Sequence, residues 1–191
     1  SLPADRLSAI LHASAIVIDG HAVVLAGNSG SGKSTLTAGL IAAGGKLIAD
    51  DLLPLGVAAE GVWPVPFAIS VKQGSWAVLS PLFTGFDSLR TLTSRGMKVR
   101  YLAAGMAIPA QPVKPSIVVF PTWNAVTGPA SDRMSDAEIA DRLIETGTDL
   151  AGAQGALAEF AEFASSVTGF RIEYPTLRDG VSCVRDLVGK R

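Results

Sequence analysis

Sulfur chemistry is almost missing from this chain, which has one cysteine, Cys183, in 191 residues. A single thiol builds neither a disulfide framework nor a thiolate zinc site. Its neighbours Val181, Val184 and Leu187 mark it as a small core residue. Excess charge is missing too. A net charge of −1 leaves no electrostatic footprint for nucleic acid, so no nucleic-acid partner is expected. No apolar run reaches the ~18 residues of a membrane span. The opening SLPADRLSAI lacks the basic-then-apolar order of a signal peptide. These absences lead to the expectation of a cytoplasmic protein without membrane contact. Repeats and low-complexity tracts are not found. What is present, 48% hydrophobic and 17% charged residues, is a globular composition, and the length suits one domain.

SAIVIDGHAVVLAG reads as two short strands, residues 14–18 and 22–26, joined by Asp19-Gly20. Glycine supplies the positive φ of a tight hairpin turn at no steric cost. A helix follows from Lys33 to about Ala43, where Gly44-Gly45 stops it, and KLIADD is a short strand ending in two acids. The region 53–113 holds brief strand-like runs, FAISV and KVRYL, and PSIVVFP is a buried strand by composition. Ser135 and Glu138 form a capping box, and Gly147 ends that helix. Residues 154–167 predict a helix with Leu157, Phe160, Ala161 and Ala164 on one face. FRIEYP is a last strand and 177–188 a last helix. Strands alternating with helices give an α/β class.

Between the hairpin and the first helix lies GNSGSGKST. Gly27, Asn28, Ser29, Gly30, Ser31, Gly32, Lys33 and Ser34 satisfy G-x-x-x-x-G-K-[ST] at every position, and Thr35 completes the stretch. A strand precedes it and a helix follows, the context of a phosphate-binding P-loop. Glycines let backbone N–H groups turn inward around phosphates, and the helix N-terminus adds positive potential. Lys33 neutralises β and γ oxygens in this reading, and the Ser34 hydroxyl ligates Mg²⁺ beside ATP. The chain lacks the N-K-x-D stretch of guanine specificity, and SIVVFP lacks the terminal carboxylate of a motor-type ATPase. Asp50 and Asp51 stand on opposite strand faces by alternation. One carboxylate serves the metal and the other the acceptor hydroxyl, because phosphoryl transfer is mostly positioning and charge neutralisation.

The stretch from Leu11 to Leu55 resembles the catalytic domain of HPr kinase/phosphorylase. His12 stands 21 residues before Lys33 and Asp50 stands 17 after it, in the order histidine, hairpin, Walker A loop, helix, ADD. The resemblance implies a P-loop nucleotide-binding domain of the HPr kinase/phosphoenolpyruvate carboxykinase-like type, using ATP and Mg²⁺ to phosphorylate a serine on a protein or peptide. It further implies Asp50 as general base, Asp51 at the metal, His12 paired with the carboxylates, and assembly as a homo-oligomer. Residues 1–191 are expected to form one such domain, without the family's N-terminal regulatory domain. Two departures stand out. At the E-x-R-G stretch this chain has SVKQGSW, with Val71 for the acid, Gln73 for the arginine and Lys72 as substitute cation. Thr35 replaces the glutamate of GKSE. Both point to the smaller HPr-kinase-related proteins, some acting on peptides of biosynthetic clusters, which VKQGSW and IVVFPTWNA also resemble.

Arg90, Arg95, Lys98 and Arg100 crowd into eleven residues. They read either as a solvated face or as a phosphoryl clamp, with Arg95 the best cation after Lys33. Two further functions stay open at this point: a small-molecule kinase with 88–100 as its lid, and a nucleotide-binding regulatory protein without transfer.

Overall fold

The chain begins with three strands, β1 (Leu7–Leu11), β2 (Ala13–Ile18) and β3 (His21–Ala26). The β2–β3 hairpin closes through Asp19 and Gly20, both at positive φ (49° and 83°), as the Asp-Gly pair predicts. Then come α1 (Lys33–Ala42), β4 (Lys46–Ala49), β5 (Leu53–Gly56), β6 (Ile69–Lys72), the single turn α2 (Trp76–Leu79), β7 (Leu92–Ser94) and β8 (Met97–Leu102). The chain ends with β9 (Ile117–Trp123), β10 (Ala130–Met134), α3 (Asp136–Glu145), β11 (Thr148–Leu150), α4 (Ala156–Ser166), β12 (Thr168–Tyr174) and α5 (Leu177–Gly189). This computed structural model describes residues 6–65, 67–94, 96–103, 111–152 and 155–190.

Among the described residues the strands form three sheets. A six-stranded sheet runs β10-β12-β9-β3-β2-β4, and two three-stranded sheets run β11-β1-β5 and β6-β8-β7. The chain is therefore mixed α/β, with β3, β9 and β12 parallel at the centre. Alternation along the central strands feeds two cores. Val24, Ala26, Val118 and Phe120 pack on one side with α3, α4, β1 and β5. Val23, Leu25, Ile117 and Val119 pack on the other with α1, α5 and β6. Burial on both faces explains why these strands read as continuous apolar runs.

Some expectations need correction. Helix α4 turns its stripe through Ala156, Phe160, Phe163 and Ala164. Leu157 is 63% exposed and Ala161 faces solvent, because the larger Phe163 claims the core position. Strands β1, β5, β10 and β11 carry no signal that the sequence reading picked up. Three of them pair with each other, in the small sheet β11-β1-β5. The capping box of α3 forms as read: Ser135 Oγ accepts from Glu138 N, and Glu138 Oε2 accepts from Ser135 N at 2.8 Å.

Candidate functional site

Strand direction decides where the site lies. Strand β4 is antiparallel to β2, and β2 is antiparallel to β3, so β4 runs with β3, β9 and β12. The C-terminal ends of these four strands share one edge of the sheet, where open α/β sheets bind ligands. The glycine-rich loop leaves β3 there, Asp50 and Asp51 leave β4 there, and His12 enters β2 there.

The loop is held from several sides. Ser31 N donates to Asn28 O at 3.1 Å, and Ser31 O accepts from Trp123 N at 3.2 Å. Leu36 N donates to Gly32 O at 2.8 Å and starts the α1 ladder. Gly32 has φ +95°, and a Cβ there would stand 2.5 Å from Tyr174 Oη, so both backbone and space require glycine. Thr35 and Ser75 share a hydroxyl–hydroxyl hydrogen bond. Lys72 Nζ donates to Ser29 Oγ at 2.6 Å and thereby hangs over the loop. Position 35 thus anchors the loop helix to the segment after β6.

Lys33 is 6% exposed. Its ammonium donates to His12 O at 3.4 Å and lies 3.7 Å from Asp51 Oδ1. Burial pushes this ammonium below the usual lysine range, against the pull of Asp50 and Asp51. A buried cation with three donors and one long hydrogen bond is under-satisfied, and an anion in the adjoining cavity would complete it.

The two acids have separate environments but one cavity. Asp50 is 3% exposed, and it accepts from Ser14 Oγ and from Ser70 N at 3.3 Å. Burial raises its carboxyl above the ordinary range, opposed by the Ser14 hydrogen bond and by Lys33. Asp51 is largely exposed and sits at φ +71°, a conformation β4 could not continue. The expectation of opposite faces therefore fails: the chain bends after Ala49, and both carboxylates line the same cavity. His12 Nε2 lies 2.7 Å from Asp51 Oδ1, and Nδ1 lies 3.0 Å from Thr146 O. Both partners are acceptors, so the imidazolium form makes both hydrogen bonds and either neutral tautomer makes one.

These groups surround a cavity of about 520 Å³ lined by His12, the loop, Ser34, Thr35, Asp50, Asp51 and Lys72. Leu52, Phe67, Met97, Val99 and Tyr101 add an apolar part to the lining. Among the described residues no group of three or more His, Cys, Asp or Glu could hold a metal ion. An ion here would draw on the Ser34 hydroxyl, Asp51, phosphate oxygens and water, which is the habit of Mg²⁺.

Within the basic segment, Arg100 has defined partners. Arg100 lies over the Trp76 ring at 4.1 Å and donates to Phe86 O and Asp87 Oδ1, at 3.3 and 3.1 Å. It is a structural cation, while Arg90 and Lys98 are exposed. Arg95 lies outside the described residues. The partners that the sequence reading missed are Ser14, Ser70, Ser75 and Thr146. Ser14 alone left a signal, as a hydroxyl inside an apolar strand. The Thr146 carbonyl comes from 134 residues away and left none.

No protein-family model matches the chain. No curated protein matches it by sequence. Among solved structures it is similar to the Hpr(Ser) kinase/phosphatase from Coxiella burnetii, with 14% identity and a TM-score of 0.42, over 95% of this chain and 99% of that one.

Proposed function

We propose that this chain is an ATP-dependent phosphotransferase whose acceptor is a serine hydroxyl on a protein or peptide. One observation carries the reading: a buried lysine ammonium and a buried carboxylate open onto one cavity beside a glycine-rich loop. Loop amides, Lys33 and Lys72 hold the phosphates and neutralise their charge. Ser34 and Asp51 would hold Mg²⁺, which screens and orients the phosphate oxygens. Asp50 takes the acceptor's proton as the serine oxygen bonds to the γ-phosphorus and the bridging bond to ADP breaks. Burial suits Asp50 for this, because a raised carboxyl is a stronger base. His12 fixes Asp51 through Nε2 and is itself fixed by Thr146.

A polypeptide acceptor is supported by the apolar part of the cavity lining, where Leu52, Phe67, Met97 and Tyr101 are between 43% and 60% exposed. The test is Asp50→Asn, assayed with labelled ATP, Mg²⁺ and host lysate. Transfer to a polypeptide should fall by at least about 100-fold while ATP affinity stays near that of the parent. Label confined to a small metabolite would exclude the polypeptide acceptor. Transfer undiminished in the variant would remove Asp50 from the chemistry.

A further inference from the structure

Opposite the two acids, on the other flank of the loop, stands Trp123. Along the shared edge the order is β12, β9, β3, β2, β4, so the loop at the end of β3 has Trp123 one strand away on one side. His12, Asp50 and Asp51 occupy the other side. A phosphate chain seated in the loop with its reactive end at Asp50 would have β9 and β12 on its far side.

An isolated exposed apolar side chain needs no explanation by itself. Trp123 is distinguished by three constraints. Strand β9 is fully buried from Ile117 to Pro121 and then presents Trp123 at 57% exposure. Its backbone N–H donates to Ser31 O, and its Cβ would lie 3.5 Å from a Cβ on Gly32, so it is joined to the loop itself. Its indole N–H is already spent on Pro175 O at 3.1 Å, which fixes the ring. An indole with its one donor engaged and more than half its surface open offers a π face and little else.

We infer that Trp123 is the platform on which the nucleobase stacks. The inference rests on the reading that the loop binds nucleotide phosphates. Stacking tolerates any base, because every base has a π face. Purines are therefore distinguished poorly at this platform, and GTP gains from Trp123 as ATP does.

The test compares ATP with inorganic tripolyphosphate, each with Mg²⁺, on the whole chain by calorimetry. Trp123→Ala should weaken ATP about tenfold or more and leave tripolyphosphate unchanged. Trp123→Phe, which keeps an aromatic face, should lie between the two and guards against a general loss of structure. Indole emission should also be quenched by ATP in the parent chain and not in Trp123→Ala. The other two indoles are covered by guanidinium groups, Arg6 on Trp63 and Arg100 on Trp76. Equal weakening of both ligands would reduce Trp123 to a prop for the loop and overturn the platform. Unchanged ATP affinity in Trp123→Ala would overturn it as well. Failure of the parent chain to bind either ligand would bring down the phosphate-loop reading, and the platform with it.

Discussion

Asp50 and Lys33 are charges that the fold holds at a cost. Burial raises the Asp50 carboxyl above its ordinary 3.8, so the native state binds that proton more tightly than the unfolded chain does. Stability from this group is therefore greatest at low pH and falls as pH rises from 3.8 through the raised native value. Lys33 has the opposite sign. Its lowered native value makes stability recover as pH climbs toward 10.5. Near neutrality both penalties are present. Asn at position 50 does not titrate. Melting temperatures of the parent and Asp50→Asn, followed from pH 3 to 8, should diverge in favour of the variant as pH rises, then level off. A constant difference across that range would contradict the raised carboxyl.

At the scale of single elements, the join between the loop and β12 is the most exacting. Tyr174 is 2% exposed, and its hydroxyl has no hydrogen-bond partner among the described residues. Burial without a partner pushes this phenol up and costs stability. Tyr174→Phe should therefore melt at the same temperature as the parent or higher. Gly32→Ala should be destabilising on two counts, the positive φ and the 2.5 Å approach to Tyr174 Oη. Combining the two substitutions should recover the steric part and leave the backbone part, a coupling that denaturant titration of all four chains measures. Additive effects would mean the contact is relieved elsewhere. The same join shows what was legible in the sequence. The motif spells out Gly32, but Tyr174 and Trp123 reach it from strands that sequence spacing does not connect to it.

Across the whole molecule, the six-stranded sheet lies between two apolar layers, and small residues let the layers approach. A Cβ on Gly169 in β12 would come within 2.3 Å of Ile139 Cγ1 in α3, whereas one on Gly128 would meet nothing within 4 Å. Gly169→Ala should cost about 1–3 kcal/mol by overpacking. Gly128→Ala should stay within ~0.5 kcal/mol, and urea unfolding of both variants would show the contrast. Helix α3 also delivers Thr146 and Gly147 to His12, whose backbone N–H donates to Gly147 O at 3.2 Å. Its seating therefore bears on the site as well as on the core. The sequence by itself determined the hairpin, the glycine-rich loop, the loop helix and the capped α3. Each of these is set by neighbours along the chain: positive-φ glycines, apolar alternation, and a serine three residues before a glutamate. Only the tertiary structure decided that Asp50 is buried while Asp51 is open. It alone spent Arg100 on Trp76, bonded His12 to Thr146, and set Trp123 beside the loop. Those outcomes depend on the order and direction of strands, which arise from contacts between residues far apart in the chain.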